Sequence, residues 1–219
     1  SKEVISKIAA GEVIERPVYA VKELLENALD AEAKTITVEI IDAGLKKITV
    51  IDDGEGMSKE DLQVAFKLHT TSKIETEEEL LHVATMGFRG EALASLAAIS
   101  HLTLQSRMAD AAGGTSIELL DGEIVKIAPV GMPVGTKVIV ANLFHSVPGR
   151  KKFLKSTRTE FRLIVDLLTR IALAHPEIHF SLTHNKKRIF DLPQTTPRER
   201  MKKLLGETLF ANILPVTYE

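Results

Sequence analysis

The chain has 219 residues, 44% of them hydrophobic and 26% charged, and a formal net charge of −2. That composition suits a globular domain with a real core and argues against a protein whose whole surface is basic for nucleic acid, although a local basic patch stays open. Cysteine is absent, which excludes disulfides and thiolate metal sites, and no apolar run approaches the roughly 18 residues of a membrane span.

After a short mixed segment ending in IAAGEVIERP, Pro17 suits the first turn of a helix, and Val21, Leu24, Leu25, Ala28 and Leu29 continue at helical spacing. Thr35 to Ile41 alternates and is rich in β-branched residues. Ala43-Gly44 turns the chain, and Lys47 to Ile51 reads as the hairpin partner. The glycine-bearing run Asp52-Asp53-Gly54-Glu55-Gly56 breaks that strand. Ser58 with Asp61 opens a capped helix carrying Leu62, Ala65 and Phe66. His69 to Met86 is polar and ends in an acidic helix. Gly87-Phe88-Arg89-Gly90 follows, then a helix from Glu91 to about Ile99.

Strands are expected at His101–Arg107, Thr115–Leu120, Glu123–Ile127 and Lys137–Ala141, with a hairpin turn at Asp121-Gly122. A basic loop, Arg150 to Arg158, leads into a long helix with Phe161, Val165, Leu168 and Ile171. A last hairpin, Ile178 to Phe190, turns at Asn185-Lys186, and Pro193 and Pro197 mark a linker. Hairpins outnumber strand–helix–strand units. The expected class is therefore α+β, a two-layer sandwich of a mixed, mostly antiparallel sheet with helices on one face.

Three segments point to chemistry. At 100° per residue Glu23, Asn27 and Asp30 share one face of the first helix, opposite its apolar stripe. This fits a solvated polar face, and it also fits a wall that offers a general base and an amide oxygen for a hard cation. Asp52 at a strand end is an acceptor suited to an exocyclic amine such as that of adenine, while Gly54 and Gly56 permit close backbone approach. Gly87 and Gly90 bracket a loop that opens into a helix, where free N–H groups favour phosphate. The competing motifs GxxxxGK[ST], GxGxxG after a strand and HExxH are missing, and the seven His are scattered. The run Arg150-Lys151-Lys152-Phe153-Leu154-Lys155, with Arg158 and Arg162, is a positive patch, either a solvated loop or a contact for DNA phosphates.

The order of IAAGEVIERP, KELLENALDA, DDGEGM, HTTSK, GFRGEALASL, Gly135-Thr136 and PGRKKFLK closely resembles the MutL family of DNA mismatch-repair proteins, over residues 8–155. The helix, DxGxG and glycine-loop elements are similar to a wider ATPase superfamily that includes gyrase B subunits, the heat-shock chaperone and sensor histidine kinases. The resemblance implies a magnesium-dependent ATPase of that fold. Glu23 would be the general base and Asn27 the magnesium ligand. Asp52 would bind the adenine amine with Thr136 nearby through water, and Gly54 and Gly56 would floor the base. Thr71, Ser72 and Lys73, with Gly87, Phe88, Arg89 and Gly90, would form the lid and phosphate contacts.

The family pattern further implies a homodimer formed by ATP-driven N-terminal association and coupling of a MutS-type mismatch-recognition protein to a downstream nuclease or helicase. The basic patch Arg150–Arg162 is expected to make weak DNA contact, and with no membrane-length apolar run and no charged-then-apolar opening the expectation is no membrane and a cytoplasmic, nucleoid-associated location, or a nuclear one in a eukaryote. Asp53 and Glu55 replace the Asn and Cys of some relatives, and SVPGRKK departs from the more usual TPAR form. Residues 1–195 are expected to form the ATPase domain, and 196–219 a linker with the start of a second α/β domain, whose helix Pro197–Leu205 and strand Ile213–Thr217 would open it. In the family that second domain supplies a lysine to the nucleotide site, and without it hydrolysis would be slow. Two alternatives stand beside this reading: another ATPase of the superfamily, such as a histidine kinase module, and a non-enzymatic DNA-binding module carried by the basic patch. Phosphate release to water, without a phosphoprotein, separates the first from the ATPase reading. Magnesium-dependent ATP binding separates the second.

Overall fold

In the computed structural model, which describes residues 10–66 and 92–213, the apolar spacing of the first segment becomes helix α1 (Pro17–Asp30). Pro17 stands in its first turn, and the helix stops where the Ala31 and Glu32 N–H groups bond back to Asn27 and Leu29. Strands β1 (Thr35–Ile41) and β2 (Lys47–Asp52) follow as an antiparallel pair. The turn between them runs through positive φ at Asp42, Ala43 and Gly44.

Helix α2 (Lys59–Val64) starts on the expected cap: Ser58 Oγ accepts from the Asp61 N–H and donates to its carboxylate. Leu62 and Phe66 carry the burial. Helix α3 (Ala92–Ile99) leads into β3 (His101–Arg107), β4 (Gly114–Leu120), β5 (Glu123–Val130) and β6 (Gly135–Ala141). Asp121 and Gly122 both take positive φ, as a two-residue primed turn requires. Strand β5 runs to Val130, past the expected end at Ile127. A short helix α4 (Pro148–Lys151) precedes the long α5 (Thr157–Ala174), capped by Ser156. Then come β7 (His179–His184), β8 (Lys187–Leu192), α6 (Pro197–Leu205) and α7 (Glu207–Phe210).

The eight strands form one sheet in the order β5-β4-β3-β6-β2-β1-β7-β8. Every pairing is antiparallel except β1 with β7. The mixed, mostly antiparallel sheet expected from the hairpins is therefore present. Alternate residues of the central strands, Ile36, Val38 and Ile40, Ile48 and Val50, Leu102 and Leu104, Val138 and Val140, Phe180 and Leu182, are buried. They share one core with Val21, Leu24, Leu25 and Ala28 of α1 and with Ile164, Leu168 and Ala172 of α5, which makes the second layer helical.

Helix α6, assigned from sequence to the opening of a second unit, is fastened to this domain by Arg200. Arg200 is fully buried: its Nη1 donates to the Ala172 carbonyl, and the two protons of its Nη2 are shared among the carbonyls of Pro176, Ile178, Leu192 and Pro193. Of the strand expected at Ile213–Thr217, only Ile213 lies within the described residues, and it is not in a strand. The acidic helix expected before Met86 lies outside them. Among the described residues, no helix is long and apolar enough to cross a membrane.

Candidate functional site

The inward-facing series of three neighbouring strands each end on a polar residue: Ile48, Val50, Asp52 in β2, Leu102, Leu104, Ser106 in β3, and Val140, Val138, Thr136 in β6. The register aligns these ends, with Asp52 opposite Thr136 and Thr136 opposite Ser106. The result is a buried polar row at one end of the sheet, with Asp52 8%, Thr136 9% and Ser106 1% exposed. Burial pushes the Asp52 carboxyl up to about 6, against backbone hydrogen bonds from Gly54 and Thr136, and the neighbouring Asp53 charge adds to the rise. Such a carboxylate is costly to keep unless a ligand uses it.

The loop after β2 is locked in place by backbone contacts. A Cβ on Gly54 would stand 2.5 Å from the Ala31 carbonyl oxygen, and one on Gly56, at φ +75°, would stand 2.2 Å from that of Arg107. These glycines were expected to let a ligand approach. In the structure their missing side chains let the loop lie against the end of α1 and the end of β3. The Glu55 N–H donates to Ala31, the residue whose own N–H closes on Asn27. Asp53 has a different task from Asp52. Its Oδ1 accepts from the Lys34 and Thr35 N–H groups at 2.7 Å each. Burial opposes its charge, but these bonds outweigh burial and hold its carboxyl below the ordinary range.

The C-terminal end of helix α1 meets this loop through the Ala31 contact. Glu23 is half-buried and Asn27 exposed. Lys22 Nζ lies 3.6 Å from Glu23 and 2.7 Å from Glu26. Burial works against the Lys22 charge, and the bond to Glu26 and the Glu23 charge overcome it and raise its pKa. Glu26, which the helical wheel did not single out, is itself buried. The remaining expected site residues, Thr71, Ser72, Lys73, Gly87, Phe88, Arg89 and Gly90, lie outside the described residues.

The basic segment divides in two. Arg150 donates to the Gly11 carbonyl and so ties down the N-terminal segment. Glu160, 1% exposed, accepts from Arg16 and from the Lys155 N–H, both at 2.8 Å. Lys151, Lys152, Lys155, Arg158 and Arg162 stay exposed, and Phe153 beside them is 77% exposed. The sequence reading did not single out Ser106 or Glu160. The signal for Ser106 was a polar residue at the next inward position after Leu102 and Leu104.

The model for histidine kinase-, DNA gyrase B- and HSP90-like ATPases matches residues 15–126. The DNA mismatch repair protein MutL of Parabacteroides distasonis is 48% identical over 211 residues, which is 96% of this chain and 34% of that protein. The MutL of Koribacter versatilis is 44% identical over 217 residues, 99% of this chain and 34% of that one. The chain thus spans about a third of the length of these relatives. Among solved structures, the Aquifex aeolicus MutL ATPase domain complexed with ADP is similar at TM-score 0.72 and 34% identity, covering 87% of this chain and 69% of that one. The N-terminal domain of a DNA repair protein gives TM-score 0.78 at 28% identity, covering 92% and 60%.

Proposed function

The chain belongs to the MutL family, as part of its histidine kinase-, gyrase B- and HSP90-like ATPase region, and on that premise we propose that it is a magnesium-dependent ATP switch for mismatch repair. The observation that carries the site assignment is the buried Asp52–Thr136 row, joined through Ala31 to the helix that bears Glu23 and Asn27. Adenine sits at the row, its amine donating to Asp52 and its ring edge facing Thr136 through water. The loop of Gly54 and Gly56 floors the base, and the triphosphate runs toward α1.

The donor set fits magnesium. Among the described residues no group of three or more His, Asp or Glu could hold an ion, and magnesium instead takes one or two protein oxygens, water and substrate phosphates. Asn27 would supply the protein oxygen, and the ion would neutralise charge developing on the phosphates. Glu23 holds the attacking water and takes its proton as the water oxygen bonds to the terminal phosphorus and the bond to the ADP oxygen breaks. Thr71, Ser72, Lys73 and Gly87–Gly90 are assigned to lid and phosphate contacts on sequence grounds. Residues 1–195 form the ATPase domain, and 196–219 open a second one with α6 docked on the first. In the whole protein, ATP would drive N-terminal pairing of two copies, and that dimer would link a MutS-type mismatch-recognition protein to a nuclease or helicase.

The test separates binding from chemistry. Glu23→Ala should keep magnesium-ATP binding and lose about 10²–10⁴ in phosphate release. Asn27→Ala should weaken binding with magnesium and leave the weaker magnesium-free binding alone. Full hydrolysis in Glu23→Ala would remove that residue from the chemistry.

A further inference from the structure

We propose that Ser106 is a specificity-determining positioning residue, which fixes the direction of the Thr136 hydroxyl so that the site reads the ring nitrogen of adenine. The proposal rests on the reading of Asp52 and Thr136 as the base site. Ser106 touches no part of the nucleotide in that reading. It stands on the far side of Thr136 from Asp52, as the register places β6 between β3 and β2.

The bonds of this hydroxyl leave it little freedom. Ser106 Oγ accepts from the Met57 N–H at 2.8 Å, donates to the Gly135 carbonyl at 3.1 Å, and lies 2.9 Å from Thr136 Oγ1. A hydroxyl has one proton. With that proton pointed at the Gly135 carbonyl, Ser106 Oγ accepts from the Thr136 hydroxyl, whose lone pair then faces the bridging water. The row then presents two acceptors, Asp52 and Thr136, and the water held at Thr136 gives one proton to Thr136 and turns the other toward the base, so that an acceptor at Asp52 stands beside a donor. That pair is complementary to adenine, whose amine donates and whose N1 accepts. It opposes a base carrying a carbonyl and an N–H at the same two positions.

The same residue fixes the loop on which the base would lie. Met57, whose N–H it holds, follows directly after Gly56, and Gly56 rests against the backbone of Arg107. The Arg107 side chain in turn donates to the carbonyls of Ala111 and Met132. Gly135, at φ +121°, could carry no side chain, because a Cβ there would stand 2.1 Å from the Asp52 carbonyl oxygen. Ser106 therefore joins three backbones that meet with no room to adjust. A general packing role would disturb all nucleotides alike. A polarity role acts on one ring atom.

The experiment compares ATP with 1-deaza-ATP, which keeps the amine and lacks N1, by equilibrium competition against a fluorescent nucleotide on the 219-residue chain. Ser106→Ala should weaken ATP about three- to tenfold, the scale of one buried hydrogen bond, and leave 1-deaza-ATP nearly unchanged, so that the preference for ATP collapses. Ser106→Thr, which keeps the hydroxyl, should restore the preference. If the alanine variant does not fold, Ser106→Cys preserves the size with a much poorer hydrogen-bonding group, and the same ratio is read. Equal weakening of both nucleotides, or an intact preference for ATP in Ser106→Ala, overturns the proposal. Asp52→Ala is the parallel control. Unchanged ATP affinity there sinks the base-site reading itself, whereas a loss there with an intact preference in Ser106→Ala sinks only the role of Ser106.

Discussion

Asp52→Asn should stabilise the nucleotide-free protein at neutral pH while it damages the site. The Asp52 carboxyl is lifted from the ordinary 3.8 to about 6, chiefly by burial. At 1.36 kcal/mol per tenfold change in proton affinity, that corresponds to roughly 3 kcal/mol. The folded pKa is the higher one, so the folded chain binds more protons than the unfolded chain between about 3.8 and 6, and its stability falls as pH rises through that window. Asparagine has the same shape and does not titrate. The stability of Asp52→Asn minus that of the wild type should therefore grow by about 3 kcal/mol between pH 3.5 and pH 7. Taking the difference cancels the other carboxylates.

Urea titrations at several pH values measure this difference. Nucleotide binding should move the opposite way. Below about pH 6 the protonated wild-type carboxyl cannot accept as a charged group, so affinity for a non-hydrolysable ATP analogue should fall up to tenfold per pH unit. In Asp52→Asn it should be flat, and at pH 7 lower by one to two decades, the scale of one charged hydrogen bond. Parallel stability profiles for the two proteins would refute the reasoning, because they would mean that the carboxylate carries no burial cost for a ligand to use.

Two further outcomes are expected elsewhere in the molecule. Arg200→Ala, which removes the buried guanidinium shared among five backbone carbonyls, should lower stability by about 3 kcal/mol and raise hydrogen exchange first in α6; exchange unchanged there would mean the clamp holds nothing. Lys151→Ala with Lys152→Ala should reduce the salt slope of DNA binding by about 2, one for each phosphate no longer neutralised, and an unchanged slope would show that these exposed lysines are merely solvated.

Much of this arrangement is legible in the residues. Ser58 with Asp61, Asp121-Gly122 and Asn185-Lys186 name their own cap and turns, because each depends on a few local bonds. The alternation of β1, β2, β3 and β6 marks their inward faces. Asp52 stands out as an acid at the end of an apolar strand, whereas Thr136 emerges only through the family pattern. Ser106 shows why the rest was hidden. Nothing within its own segment, HLTLQSR, says that β6 lies beside it or that Met57 will donate to it. That information lies in strand order, and β3 pairs with a strand some 30 residues away. Arg200 hides for the same reason: in PRERMKKLL it resembles its solvated neighbours, and only the fold collects five carbonyls around it.

From the sequence, Gly54 and Gly56 permit close backbone approach. In the fold a side chain at either position would meet the carbonyls of Ala31 and Arg107 and force the backbones apart. The loop thereby becomes a rigid bracket between the helix that bears Glu23 and Asn27 and the strand that bears Ser106. Rigidity of this kind is what a costly buried carboxylate needs, because an acceptor that could swing into water would shed its burial and with it the reason for binding an amine. The polar row and the glycine bracket therefore act as one device. The row and the water at Thr136 supply the acceptor and donor pattern, and the bracket keeps that pattern from relaxing into solvent.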